Sequence, residues 1–193
     1  MRPLTRVALI SIAAIIVAHL LDRWAWQHLV DRTVYDRDWG RMLRTAGFLP
    51  TWLIIAAGLW LSTRDTRGAL RLALIPTAAG AICAVLQVLI RRERPGLHDG
   101  HYYFRAFTDR PFQGVDFGLP SSHAIVAFAA AWVLCRMYPR GWPVWLGLAA
   151  GTAVSRVLAG AHFLSDVTVA AVAAYFVVAV LWRMGEREVR REK

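Results

Sequence analysis

Long apolar runs alternate with short polar ones along the chain. Six runs stand out, at residues 4–21, 48–62, 69–90, 122–138, 143–160 and 164–183. Each approaches the ~20 residues a helix needs to cross the hydrocarbon core of a bilayer. A strand edge facing lipid would leave backbone groups unpaired, so each run is expected to be helical. The second run is short and is expected to be extended by its flanks. The predicted fold is therefore all-α, an integral membrane bundle of six transmembrane helices. At ~20 residues per span, about 120 of the 193 residues lie in the membrane, which leaves no room for a separate soluble domain. Residues 1–193 are expected to form one domain. Connections 63–68, 139–142 and 161–163 are short enough to make their neighbours antiparallel; 22–47 and 91–121 are longer. The opening MRPLTRVALISIAAIIVAHLL places Arg2 and Arg6 before an apolar stretch, as a signal peptide would. No A-x-A cleavage signal follows, so a retained span is expected.

Composition agrees with the pattern: 57% of residues are hydrophobic, 19% are charged and the mean hydropathy is +0.41. A soluble domain averages roughly 45–50% apolar and about 25% charged. The net charge of +10 invites a nucleic-acid reading, but the cations flank the apolar runs, where they meet lipid headgroups and orient the chain. No nucleic acid is expected as a partner. All but one of these cations are Arg, the exception being Lys193. Cys83 and Cys135 fall inside apolar runs and behave there as small hydrophobes, not as a disulfide or metal pair. Trp24, Trp26, Trp60, Trp142, Trp145 and Trp182 gather at span ends as headgroup anchors. Gly147 and Gly151 form a G-x-x-x-G pair expected to let another helix approach.

Six spans put both termini on one side with the loops near 63–71 and 136–141. That side carries twelve cations, Arg2 and Lys193 among them, against nine opposite once Arg94 and Arg156 are set aside for an anion site. The termini are then expected in the cytoplasm, with loops 22–47 and 91–121 outside the inner membrane.

Ionisable groups at span ends are costly, so a cluster of them marks a functional site by default. Three stretches qualify: QVLIRRERPG (87–96), LPSSHA (119–124) and SRVLAGAHFLSD (155–166). Span parity brings all three to the same outward face, at the ends of spans three to six. Arg94 and Arg156 are permanently charged forks suited to phosphate oxygens. Ser121 and Ser122, just before a helix, add hydroxyls and free N–H groups. Of two histidines, one can attack phosphorus and the other can protonate the departing oxygen. Asp166 lies four residues after His162, on the same helical face if the sixth helix begins there. Its carboxylate can then accept one imidazole N–H and free the other nitrogen's lone pair, which makes His162 the nucleophile and His123 the acid. Two His and one Asp among arginines would repel a cation, so neither a metal nor a cofactor is expected. Each piece alone has a plainer reading: an N-cap for the serines, a headgroup anchor for each arginine, a hydrogen-bonded interface residue for each histidine.

Taken together, Pro120-Ser121-Ser122-His123 and Ser155-Arg156 followed by His162 and Asp166 resemble the phosphatidic acid phosphatase type 2 family of membrane lipid phosphatases, which shares its site with vanadium haloperoxidases. The family pattern is Lys-x(6)-Arg-Pro, Pro-Ser-Gly-His and Ser-Arg-x(5)-His-x(3)-Asp. Ser122 stands where glycine is usual. Arg94-Pro95 is kept, but Gln87 stands where the pattern asks for Lys. The resemblance implies a phosphohistidine on His162, oriented by Asp166, with His123 protonating the lipid leaving group and Arg94, Arg156 and Ser121 holding the phosphoryl oxygens. Glutamine cannot neutralise a phosphate. If the helix continues, Arg91 shares a face with Gln87 and Arg94 and could supply the missing cation; a headgroup anchor is the other reading, and Arg92 points elsewhere.

The family also implies a lipid phosphate as substrate: a polyprenyl diphosphate, phosphatidate, phosphatidylglycerol phosphate or a lipid A phosphate, with undecaprenyl diphosphate first. The 91–121 loop, with Arg105, Arg110 and Tyr102-Tyr103-Phe104, is expected to be a lid or headgroup reader, or else an interfacial anchor. A phosphotransferase using the same intermediate, or a non-enzymatic membrane binder, are the rival classes.

Overall fold

The computed structural model describes residues 3–111 and 113–191; Arg2 and Lys193 of the cation count lie outside them. Among the described residues there are seven α-helices: α1 Pro3–Leu29, α2 Asp38–Thr45, α3 Leu49–Thr63, α4 Thr66–Ile90, α5 Ser122–Met137, α6 Trp142–Leu158 and α7 Leu164–Arg191. Every apolar run of the sequence lies on a helix. No strand occurs among the described residues, only isolated bridges between Arg92 and Phe104 and between Glu93 and Phe117.

Local chemistry sets the helix ends. Pro50 and Pro143 occupy the first turns of α3 and α6, where a missing N–H costs nothing. Asp65 caps α4 by accepting from the Gly68 N–H at 2.9 Å. Arg64 and Arg91 close α3 and α4 in the left-handed conformation, with φ of 56° and 59°.

Three helices are long and apolar enough to cross a membrane: Thr5–Leu29, Thr66–Ile90 and Leu164–Arg187. A fourth crossing is possible by length and composition only if α2 and α3, bent by 68° at their junction, act together. The second run is thus not extended straight by its N-terminal flank. The polar helix α2, with Asp38, Arg41 and Arg44, turns aside instead. The helices α5 and α6 have 16 and 17 residues, so at ~1.5 Å per residue each is shorter than the ~30 Å core.

The centre of the bundle is α5, which packs against α4, α6 and α7. It is buried nearly all round through Ala124, Ile125, Ala129, Ala130 and Val133. Alanine on several faces lets three neighbouring backbones come close, the packing favoured where lipid supplies no hydrophobic drive between helices. Ala170 and Ala174 of α7 and Ala79 of α4 repeat the device from the other side. The outside is the reverse of a soluble surface: Ile10 and Leu20 of α1, Ile54 of α3 and Leu74 and Leu89 of α4 are all exposed. Such a continuous apolar exterior is expected only against lipid.

Of the G-x-x-x-G pair, only Gly151 admits a neighbour, and that neighbour is a side chain. A Cβ there would lie 2.6 Å from Leu43 Cδ2 of α2, whereas Gly147 faces open space. Thr152 reinforces the docking by donating to the Leu43 carbonyl at 2.7 Å. This contact holds α2 against α6 and so brings the 22–47 connection to the site. Both cysteines are free thiols.

Candidate active site

Arg94, His123, Arg156 and His162 come from four different places in the chain: the turn after α4, the first turn of α5, the last turn of α6 and the α6–α7 corner. The fold gathers them. The charges of Arg156, Arg94 and His162 all bear on His123, and those of Arg156 and Arg94 on His162.

His162 is buried at 2% exposure. Its Nδ1 lies 3.0 Å from the Gly118 carbonyl oxygen and 3.5 Å from Asp166 Oδ2. A carbonyl can only accept, so Nδ1 carries the hydrogen and the neutral ring keeps its lone pair on Nε2. That Nε2 is buried without a partner, as are the Nε atoms of Arg94 and Arg156. A buried polar atom left unmade costs roughly 1–3 kcal/mol, so three of them in one cluster mark a place built for something polar.

Asp166 lies closer to other partners than to the imidazole. Its Oδ1 accepts from Arg92 Nη2 at 2.5 Å, and its Oδ2 from the Phe163 N–H at 2.7 Å. Phe163 and Asp166 thereby pin the α6–α7 corner that carries His162. Gly118 is bare for a reason. A Cβ on it would come 3.0 Å from Asp166 Oδ2, so a side chain there would press on the carboxylate.

Arg92, expected to point elsewhere, is instead the partner of Asp166. It also donates to Ser165 Oγ at 2.7 Å. Ser165 in turn donates its hydroxyl to Asp22 Oδ2, to which Tyr102 also donates, at 2.6 Å. The chain Asp166, Arg92, Ser165 and Asp22, all buried, with the exposed Tyr102 at its end, thus ties the corner to α1. Sequence reasoning missed it; the one available signal was an acidic residue, Asp22, just beyond a long apolar run.

Arg91 does not stand beside Gln87 and Arg94. The helix stops at Ile90 and Arg91 itself adopts the left-handed cap, so helical spacing no longer applies. Its guanidinium donates to the carbonyls of Arg105, Ala106, Asp109 and Pro111 at 2.6–3.0 Å, between the rings of Phe107 and Phe117. It organises the 105–111 loop. Arg91→Ala is accordingly expected to take the donor from the buried Arg105 carbonyl, at about 1–3 kcal/mol, and from the part-buried carbonyls of Ala106, Asp109 and Pro111 at less each. The melting temperature should fall by several degrees and the loop should open to proteolysis; an unchanged melt with lost turnover would return Arg91 to the anion site.

Gln87 is also engaged. Its Nε2 donates to the Pro120 carbonyl at 2.8 Å, and Cys83 Sγ lies 3.4 Å from the same oxygen. Gln87 therefore holds the loop that presents Ser121 to His123, rather than reaching toward an anion. Ser121 is fully buried and is the N-cap of α5, its Oγ 3.5 Å from the Ala124 N–H. Its own N–H donates to the Asp166 carbonyl at 3.2 Å. Ser122, the first residue of α5, is half-buried, and its N–H and that of His123 are among the donors that a helix leaves free at its start. The polar groups this loop leaves free are thus backbone N–H groups more than serine hydroxyls.

The 91–121 loop divides. Arg105 is buried and pairs with Glu93 at 2.5 Å and Asp116 at 2.9 Å, so it is a brace and not a headgroup reader. Burial alone would raise the Glu93 carboxyl, but hydrogen bonds from His98 and Arg105 outweigh it and hold the group below its usual range. The brace therefore stabilises above the ordinary carboxylate range and weakens as acid protonates Glu93. Arg110, Tyr103, Phe104 and Phe107 are exposed.

A helical bundle with an apolar exterior, and with Arg94, His123, Arg156 and His162 gathered at its helix ends, is a membrane-type architecture. The family follows from comparison: the model of the PAP2 superfamily matches residues 68–190, and the chain belongs to that superfamily. Its fold is similar to that of the crystal structure of a transmembrane PAP2-type phosphatidylglycerolphosphate phosphatase from Bacillus subtilis, with a TM-score of 0.68, 20% identity, and coverage of 97% of this chain and 98% of that one. No curated protein matches the chain.

Proposed function

We propose that this protein is a single-domain, six-span membrane phosphatase that removes phosphate from a lipid phosphate or diphosphate through a phosphohistidine on His162, with undecaprenyl diphosphate the first candidate substrate. Membership of the PAP2 superfamily supports the class. The observation that carries the mechanism is the unpartnered, lone-pair-bearing Nε2 of His162 beside the unpartnered Nε atoms of Arg94 and Arg156.

In this reading His162 Nε2 attacks phosphorus while Arg94, Arg156 and the N–H groups opening α5 hold the equatorial oxygens. The P–O bond to the lipid breaks, and His123 gives its proton to the departing oxygen. Water, deprotonated by the same His123, then cleaves the P–N bond and releases phosphate. Charge build-up on the oxygens is where preorganised donors act most strongly. An imidazolium among three arginines is unfavourable, so the phosphate's own negative charge is what lets His123 hold the proton it donates.

A groove of about 300 Å³, lined by Leu29, Phe128, Val154, Val157, Leu158 and Leu164 among others, is walled almost wholly by apolar side chains. It supports a substrate with a hydrocarbon tail. The expected setting is the inner membrane, with cytoplasmic termini and the site on the outward face.

The test is phosphate release by purified protein in detergent from polyprenyl diphosphate, phosphatidate, phosphatidylglycerol phosphate and a lipid A phosphate. Release from at least one is expected, and release from none overturns the reading. Burial pushes the His162 imidazole below its ordinary value despite the opposing pull of Asp166. The nucleophile is then neutral at pH 7, and the rising acid limb of kcat/KM should lie below about pH 6.5. A rising limb above that pH would contradict the assignment.

A further inference from the structure

The 22–47 connection lies outside the residues matched to the superfamily, yet it delivers a cation to the site. Tyr35, half-buried, accepts a hydrogen bond from Arg156 Nη1 at 2.9 Å and donates to the Ser155 carbonyl at 3.3 Å. Over the same ring lies the guanidinium of Arg44, 5.0 Å from its centroid, with that of Arg156 at 5.7 Å. Three residues on, Gly47 is pressed against the acid: a Cβ there would come 2.7 Å from His123 Cβ. The last turn of α2 is therefore fixed at the His123 side of the pocket by Gly47, by the Leu43–Gly151 contact and by the Thr152 hydrogen bond.

Arg44 differs from its neighbours in having no acidic partner. Arg37 pairs with Asp31 and Arg41 with Asp38, whereas Arg44 forms no ion pair among the described residues and is exposed. Its charge bears on His123 and on Arg156. At the nucleophile the acting charges are those of Asp166, Arg156 and Arg94. Arg94 and Arg156 thus act on both histidines, and Arg44 adds its charge at His123, on the leaving side.

We propose that Arg44, held on the Tyr35 ring beside Arg156 and His123, binds the phosphate that stays on the lipid after cleavage, so that the site takes lipid diphosphates in preference to monophosphates. This rests on the phosphatase reading above and narrows its substrate class. A diphosphate carries one more anionic group than Arg94 and Arg156 can meet, and the lysine position is filled by a neutral Gln87 whose amide is engaged on Pro120. The proximal phosphate leaves with its oxygen protonated by His123. Arg44 is then placed to meet the charge remaining on it.

The experiment compares wild type with Arg44→Gln and Arg44→Lys on a polyprenyl diphosphate and on the monophosphate of the same chain. Loss of a charge-assisted contact should lower kcat/KM for the diphosphate by about tenfold or more, with less than a twofold change for the monophosphate, and Lys should restore part of the loss. Inhibition of the wild type by inorganic pyrophosphate should likewise be weakened by Arg44→Gln more than inhibition by orthophosphate. Equal loss on both lipids, or none on either, overturns the subsite while leaving the phosphatase intact. If the wild type cleaves neither lipid, the phosphatase reading itself fails for this substrate class, and pyrophosphate binding by calorimetry that Arg44→Gln leaves unchanged then removes the subsite as well.

Discussion

His162→Ala is expected to abolish phosphate release, lowering kcat by roughly 10⁴-fold or more, the scale seen when a covalent nucleophile is removed and binding groups remain. The variant should fold, because among the described residues it loses one hydrogen bond, to the Gly118 carbonyl, and the longer contact with Asp166 at 3.5 Å, and should still bind inorganic phosphate through Arg94 and Arg156. Wild type incubated with a lipid labelled in its terminal phosphate and quenched in alkaline detergent should retain acid-labile, base-stable label on the protein, and the variant none. Retention of more than about a hundredth of the turnover would remove His162 from the nucleophile's role. Turnover lost with label still trapped would assign the intermediate to another residue.

The second large effect concerns Asp166. In Asp166→Asn the Arg92 guanidinium keeps its place but loses its only carboxylate partner at 2.5 Å, within a region where both side chains are 1% exposed or less. Breaking one side of a buried pair costs about 3–5 kcal/mol, because the remaining charge is uncompensated. A large fall in melting temperature is expected, together with a loss of kcat as the α6–α7 corner loosens around His162. Replacing both partners, Arg92→Met with Asp166→Asn, should recover much of the stability and little of the activity. If the double variant regains turnover as well, the pair serves only the fold. If the single variant melts like the wild type, the ion pair is not formed.

These outcomes depend on features that differ in how visible they were in the sequence. Apolar run length located the helices α1 and α3–α7, a local property, but among the described residues only three of them are long and apolar enough to cross a membrane. The spacing of Ser155-Arg156, His162 and Asp166 likewise brought these residues together, because an α6–α7 corner so short leaves few places for those side chains. Arg91 was legible as a cation but not as a cap. Whether a helix ends at one residue or runs four further is decided by a left-handed turn, which no periodicity predicts. Arg92 was misplaced for the same reason, as the chain leaves α4 by one turn and reverses its two arginines' roles. Gln87 looked like a missing lysine, and only the Pro120 carbonyl lying 2.8 Å away explains what an amide does there.

What the sequence by itself determined is the class of molecule, an all-helical, membrane-type member of the PAP2 superfamily, for hydrophobic run length and motif spacing act over a few turns of chain. What only the tertiary structure decided is which polar groups remain free. Asp22 meets Ser165 across 143 residues, and Tyr35 meets Arg156 across 121. Contacts of that separation follow from how α1 and α2 dock on α7 and α6, and docking is set by the shape of the packed helices, not by any local pattern.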